Sequence, residues 1–530
     1  MCRRVLFVIV CVLTAAQFSC AKPAASLAEY RMWQFHTMDV NYVSAVLKIA
    51  PQYNINAVVF SHGMNYAISD FADKGSMRSQ QHIRLAKEAH QLGLKVYIWP
   101  HEFEKMPEKF LKNNVVQMDT PGLFEYITEK YDTFFKEFPE IDGIVLTFHE
   151  TTYPVFSDAH VNSSLPKPER FARMINAIDE ACVKYNKDFI VRTFLYQPEE
   201  YAWLTEGLQK THSRVMVQSK EVPHDWQPYY PNGPDIGAFP GRKQIVEFDC
   251  SSEFTGKNRI PFTSPEYFEM RWRWDLTHPE VIGYNARIDH GGFDAVFTPN
   301  ALNLYALYRL TEDPNIKAAD IWKEWTVKTY GAKAAPYVEK VLRPTFECVK
   351  LAFFAKGFWY TCHSYLPLFG YAGGSITGRT TAKWVPNDPN LKKTEQLLVK
   401  PTPEFFEEIL AQKDEAIALA DEAKLNLRCA KPYLTPAQYD DLRWRLDLLG
   451  RVAQVWKLHA EAFWGYTLLE QRDIPGLRQR VQRAIDGLYA QAKISEQDPL
   501  IGSAPPASAT EIKAAADELQ TKLMKFRSTK

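Results

Sequence analysis

Asp142-Gly143-Ile144-Val145-Leu146-Thr147-Phe148-His149-Glu150 opens on a turn pair, runs through a short β-type stretch and ends on two side chains that exchange protons. A run of branched and aromatic residues bounded this way is the pattern of a short strand. The same unit recurs on both sides of it. Strands are predicted at 30–36, 55–61, 94–99, 143–149, 189–194, 215–219, 244–249 and 281–287, with helical windows near 39–52, 79–92, 121–137, 166–186, 198–208, 265–278 and 298–311. Parallel strands need a crossover between them, so this alternation makes a (β/α)8 TIM barrel over residues 28–312 the economical reading. The sixth crossover, 221–243, is punctuated by Pro223, Asn232-Gly233-Pro234 and Pro240-Gly241 and reads as a loop. Long loops at a barrel mouth are usually functional.

Past residue 312 the β signal fades and helical spacing takes over, clearest at 318–330, 403–425 and 436–471. An α-helical C-terminal domain is therefore expected over 313–530. Residues 353–375 interrupt it with dense aromatics and glycines, which leaves two alternatives open: a cover for the barrel mouth, or a packed junction between domains. Residues 501–509, rich in Gly, Ser, Pro and Ala, read as a linker before a last helix.

Composition narrows the function classes. The 530 residues carry 63 basic and 63 acidic side chains, so nothing in the balance suits a polyanion, and nucleic acid is set aside as a partner. An apolar content of 46% is enough to bury a core. The 13 Trp, 26 Tyr and 32 Phe supply flat faces for core packing or for sugar stacking, and composition alone favours packing.

The N-terminus reads as an address. Arg3 and Arg4 precede an apolar or small run over 5–16, the charged and hydrophobic parts of a secretory signal, too short to span a bilayer. Gln17-Phe18-Ser19-Cys20-Ala21 follows, and a small residue before a Cys at that point resembles a bacterial lipoprotein cleavage site. On that reading residues 1–20 are removed or capped and Cys20 carries a lipid anchor, placing the protein in the periplasm or on the outer membrane. Cleavage near 21–25, releasing a soluble exported protein, is the alternative. Five Cys remain (Cys182, Cys250, Cys348, Cys362 and Cys429), an odd number without a CxxC pair, which argues against a disulfide framework and a cysteine zinc site.

In this fold the C-terminal strand ends face the active site, so the strand positions also list candidate functional groups. They are His36, His62, His101, His149 with Glu150, Arg192, Lys220 with Asp225 and Trp226 beyond it, Glu253, and Asp289 with His290. Together they make an enzyme the stronger reading over an inert scaffold. Polar groups of this kind among plentiful aromatics suit glycoside hydrolysis on an oligosaccharide or polysaccharide. That reaction needs a carboxylic acid to protonate the leaving oxygen and a second carboxylate on the anomeric side. Glu150, Asp225 and Glu253 are the candidates, and spacing alone leaves retention and inversion both open.

The local strings resemble glycoside hydrolase family 67, the α-glucuronidases that remove glucuronic acid from xylan fragments. Val217-Gln218-Ser219-Lys220-Glu221-Val222-Pro223-His224-Asp225-Trp226-Gln227 is similar to that family's V-Q-x-K-x-x-P-x-D-[FW]-Q segment. Glu247-Phe248 and Ser252-Glu253-Phe254-Thr255-Gly256 are similar to its E-F-Q-x-T-x-E-Y-x-G run, and Asp225 and Glu253 keep the family's separation. The resemblance implies Glu150 as general acid, Asp225 and Glu253 activating water for inversion, and Lys220 and Arg192 contacting a uronate carboxylate. It implies no cofactor and no metal.

Two departures stand beside it. The first barrel strand is expected about ten residues after the leader, without the domain that usually precedes the family's barrel. Around the acid, the family's K-A-x-S-E-G-Q-P-G-P becomes Leu146-Thr147-Phe148-His149-Glu150-Thr151-Thr152-Tyr153-Pro154, with a substrate-binding lysine lost. A neutral or amino sugar is therefore an alternative substrate. From other classes, the histidines with Asp289 leave a metal-dependent hydrolase open, although neither HxH nor HExxH occurs. A non-catalytic glycan-binding lipoprotein is a third reading, and a homodimer through the helical region is left open.

Overall fold

A computed structural model describes residues 28–526, apart from 72, 362, 499, 502 and 503. The leader and Cys20 lie outside the described residues. Eight parallel strands close into a barrel: β1 (Tyr30–Phe35), β2 (Ala57–Phe60), β3 (Lys95–Ile98), β4 (Gly143–Thr147), β5 (Asp188–Thr193), β6 (Met216–Lys220), β7 (Gln244–Asp249) and β8 (Val281–Arg287). Strand β1 pairs with both β2 and β8, which closes the ring. Outside it run α1 (Val40–Leu47), α2 (Met77–Gln91), α3 (Leu123–Glu137), α4 (Lys167–Lys184), α5 (Glu200–Gln209), α6 (Pro265–Asp275) and α7 (Ala301–Glu312). As expected, β6 and β7 are joined by a loop without a helix. Three short strands, Leu111–Lys112, Val115–Gln117 and Val161–Asn162, form a small sheet that no periodicity announces, because two- and three-residue strands are too short to carry one.

Strand side chains alternate between faces, and this alternation sorts the core. Met32, Ala57, Val59, Tyr97, Trp99, Val145, Ile190, Met216 and Ile245 form a buried cluster inside the ring. Their neighbours on the same strands, such as Trp33, Val58, Ile98, Ile144, Val191 and Val246, belong to the separate core shared with the helices. Each such side chain taken from water is worth about 1.5–3 kcal/mol. Two residues further up the same inward face the barrel turns polar: Asn285 Nδ2 donates to Gln34 Oε1 and Gln218 Oε1, at 3.0 Å each.

The seam between β1 and β8 depends on a missing side chain. A Cβ on Gly283 would lie 2.0 Å from the Tyr30 carbonyl oxygen. Gly283→Ala must therefore push the two strands apart, and a loss of about 1–3 kcal/mol or more is expected, read as a lower denaturant midpoint. An unchanged midpoint would mean that the seam yields freely.

The helical region follows, with long helices at Pro403–Ala430, Pro436–Gln471, Leu477–Glu496 and Ala509–Lys525. Thr435 and Gln438 form a reciprocal capping box at the start of the longest, and Pro436 occupies its first turn, where no backbone N–H is needed. The described residues of the expected linker, 501 and 504–509, are not free. Ile501 and Ala507 are buried, and the Arg259 guanidinium of the barrel donates to the carbonyls of Leu500, Ile501, Ala504 and Pro505. Small and cyclic residues there allow close approach to the barrel. Cys182, Cys250, Cys348 and Cys429 are free. Among the described residues no helix is long and apolar enough to cross a membrane.

The segment after helix Thr345–Phe353 is the part of the helical region that reaches the barrel mouth. The wholly buried Lys413 Nζ donates to the carbonyls of Leu351 (2.7 Å), Ala352 (2.8 Å) and Phe354 (2.5 Å). These are the acceptors a helix leaves without partners at its C-terminus, and a cation there also complements the dipole. From this anchor the chain makes the hairpin Phe354–Ala355/Phe358–Trp359 and passes over the strand ends.

Candidate active site

A cavity of about 180 Å3, the liquid volume of about six waters, opens at the C-terminal ends of the strands. Its wall holds all three candidate carboxylates, together with the anticipated Arg192, Trp226, His62 and His290. Phe194, Tyr196, His224 and Arg287 add to it from the barrel, and His363 and Arg379 from the helical region. Both alternatives for residues 353–375 are seen: His363 lines the cavity, while Phe353, Phe354, Trp359 and Tyr360 are buried in a packed junction with the long helices.

The three carboxylates have different surroundings. The Glu150 side chain, 39% exposed, faces the mouth, and its Oε2 lies 3.3 Å from Arg192 Nη1. Enclosure by the cavity walls raises its pKa. Arg192 and Lys220 oppose that shift, while Asp225 and Glu253 add to it. Glu253 is the reverse case: Oε2 accepts from Arg287 Nη2 at 2.8 Å and Oε1 from His363 Nδ1 at 2.7 Å, with His290 Nε2 3.4 Å away. Burial pushes its pKa up, but Arg287, His363 and His290 outweigh that and hold it well below the ordinary glutamate value. Asp225 is likewise held low. Its burial is outweighed by His224 (3.5 Å), Lys220 (3.5 Å) and Arg379 (3.3 Å). One carboxyl is thus biased toward the acid and two toward the anion, a division set by surroundings alone.

Beneath this layer, Arg192 is clamped by Glu247, with Nε to Oε2 at 2.7 Å and Nη2 to Oε1 at 3.3 Å, and its guanidinium sits 4.4 Å above the Trp99 ring. Both partners are buried, so the fork is a charge-assisted brace inside the barrel. Trp226 covers the other cations: its ring centre is 3.7 Å from Lys220 Nζ and 4.1 Å from the Arg287 guanidinium.

Several expected substrate contacts stand behind the wall rather than on it. Lys220 is 2% exposed, pressed between Trp226 and Phe194, and its nearest anion is Asp225. It balances that carboxylate, and burial pushes its pKa down to about 8. His149 Nε2 lies 3.2 Å from Glu200, and His101 stacks on Tyr66 at 4.1 Å. Asp289 accepts the backbone N–H of His36 at 2.9 Å, and the His36 ring packs edge-on against His62. None of Lys220, His149, His101, Asp289 and His36 lines the cavity. Arg192 does line the cavity, with Nε and Nη2 donating to Glu247 and Nη1 facing Glu150. Among the described residues no group of three or more His, Cys, Asp and Glu side chains is arranged to hold a metal ion.

Glu247 and Arg287 escaped the sequence reading although a signal for them existed. Glu247 shares the inward parity of Ile245, and Arg287 that of Asn285, so carrying the alternation to the strand ends would have found both. Tyr196 and His224 sit just past strand ends in loops, where parity lapses. His363 and Arg379 had no such signal, because their approach depends on how the helical region folds back.

The architecture defines the chain as a (β/α)8 barrel with a helical region that contributes to the barrel mouth. No described family profile matches it. The chain is similar to an α-glucuronidase of Hypocrea jecorina, 22% identical over 241 residues, which cover 40% of this chain and 28% of that protein. Among solved structures, it is similar in fold to a GH138 enzyme targeting pectin rhamnogalacturonan II, with a TM-score of 0.61 and 11% identity over 94% of this chain and 68% of that one.

Proposed function

We propose that this protein is an inverting glycoside hydrolase that removes a terminal uronic acid from a glycan. The observation that carries the reading is the cavity itself: one carboxyl favoured as the acid and two favoured as anions, gathered at the mouth of a barrel. Glu150 protonates the leaving oxygen as the glycosidic C–O bond breaks, and that oxygen keeps the bond's electron pair. A water oxygen bonds to the anomeric carbon from the opposite face and gives its proton to a carboxylate on that side. Exchange with solvent then restores both carboxyls.

An acidic sugar is supported by the wall's cations. Arg287 Nε and Nη1 make no hydrogen bond among the described residues, whereas Arg379 Nη1 is already ion-paired with Asp225 at 3.3 Å. A buried donor without a partner is costly, and a substrate carboxylate would satisfy it with charge-assisted bonds. The name of the Hypocrea relative agrees with this choice. The leader carries the further proposal that the chain is exported and lipidated at Cys20, which an acyl mass increment on that residue would test.

The purified protein, incubated with uronate-bearing and neutral oligosaccharides and followed by proton NMR, is expected to release a uronic acid as the inverted anomer. Release of only a neutral or amino sugar would retire the acidic substrate. A retained anomer would retire inversion and favour Glu150 with Glu253 as a retaining pair.

A further inference from the structure

The helical region places one basic side chain on each of two cavity carboxylates. His363 Nδ1 is 2.7 Å from Glu253 Oε1, and Arg379 Nη1 is 3.3 Å from Asp225 Oδ2. Neither approach is incidental to a loose loop. The segment starts at the Lys413 anchor. Ser364 Oγ then donates to the Glu253 carbonyl and accepts the Gly256 N–H, both at 2.8 Å. His363 and Ser364 have φ of 45° and 67°, a left-handed backbone that non-glycine residues adopt uncommonly and that clusters at functional sites.

The two carboxylates differ in what their oxygens are doing. Both oxygens of Glu253 are occupied by charge-assisted hydrogen bonds, from Arg287 on one side and His363 on the other. Asp225 has only ionic neighbours at 3.3–3.5 Å and accepts no hydrogen bond among the described residues. Hydrogen bonds made to the charged form disfavour protonation, so Glu253 is the poorer proton acceptor and Asp225 keeps lone pairs open to a water.

Building on the glycosidase reading above, we infer that the segment from the helical region divides the labour between these groups: His363 is a positioning residue that fixes Glu253 as a permanent orienting anion, and Arg379 keeps Asp225 ionised as the acceptor of the water proton. Facing Asp225 are Lys220 from β6, His224 and Tyr230 from its own loop, Tyr196 beyond β5, Arg379, and the carboxyls of Glu150 and Glu253. Facing Glu253 are Arg287 from β8, His36, His62, His290, His363 and the carboxyls of Asp249, Asp225 and Glu150. Of these described groups, Arg379 and His363 alone come from outside the barrel.

The test is the pH profile of kcat and KM of the full chain on whichever glycoside the wild type cleaves. Arg379→Gln removes a cation from Asp225, so the acidic limb should move up by about one pH unit, while Arg379→Lys keeps it near its wild-type position. His363→Leu should lower kcat by about 100-fold without moving that limb. His363→Asn, whose amide can donate to the same oxygen, should recover most of the rate. A limb that moves in His363→Leu but not in Arg379→Gln would make Glu253 the acceptor and overturn the division. Wild-type profiles in all four variants would reduce the segment to a cover. A wild type silent on every glycoside would instead sink the glycosidase reading, and the division with it.

Discussion

Glu150→Gln is expected to lower kcat on a natural glycoside by about 10²–10⁴-fold, the range for losing a general acid, with KM little changed. The amide has nearly the same shape and still accepts from Arg192, but it has no proton to give. The sign with pH follows from the direction of the shift. A pKa raised by enclosure keeps Glu150 protonated to higher pH than an ordinary glutamate, and activity falls as pH rises through that value. The wild type should therefore show a basic limb that the variant lacks. An aryl glycoside with an acidic leaving phenol needs little protonation and should recover much of the lost rate in the variant. A variant equally poor on both substrates would assign Glu150 to binding, and a fully active one would remove it from the mechanism.

The second large effect is on stability. Arg287 is 2% exposed, stacked under Trp226 and hydrogen-bonded to Glu253. Removing one partner of a buried pair leaves the other charge uncompensated, and such losses run to about 3–5 kcal/mol. Arg287→Met should lose stability of that order at pH 7, measured by denaturant unfolding. The pH dependence separates this cause from lost packing. In the wild type, Glu253 titrates well below its unfolded value, so its stabilisation is complete above about pH 4.5 and fades as pH falls through the folded value. Without Arg287, burial works against the anion, and acidification toward pH 4–5 should relieve part of the defect. Adding Glu253→Gln to Arg287→Met should recover part of the stability at pH 7. A single variant costing under about 1 kcal/mol would show that water reaches the pair and screens it.

The sequence resolved the molecule unevenly, and the reasons are physical. Barrel strands were legible because each must bury both faces, which leaves short apolar runs separated by helices. Predicted and observed strands agree closely even at β6, expected at 215–219 and found at Met216–Lys220. Candidate carboxylates were legible because strand direction in this fold delivers the residues after each strand to one end. Glu150, Asp225 and Glu253 therefore meet in one cavity from three separate crossovers. The residues found off the cavity wall share another origin. His101, His149 and Asp289 were named by strand-end position and Lys220 by position and by the family resemblance, and neither says whether a side chain reaches the cavity wall or packs behind it. Residues 501–509 have linker composition, yet four of their backbone carbonyls or their immediate neighbour's are held by one barrel arginine.

Sequence by itself determined the local and periodic facts: where strands and helices lie, that the strands run parallel, and which acidic side chains stand at their ends. These follow from short-range sterics and from alternation, which neighbouring residues encode. Only the tertiary structure decided which carboxyl is held as an acid and which as anions, since protonation depends on charges that arrive from β5, β6, β8 and a segment more than a hundred residues downstream. His363 meets Glu253 across 110 positions in the chain and Arg379 meets Asp225 across a longer gap, and no local pattern records such a meeting. It is produced by the packing of the helical region onto the barrel.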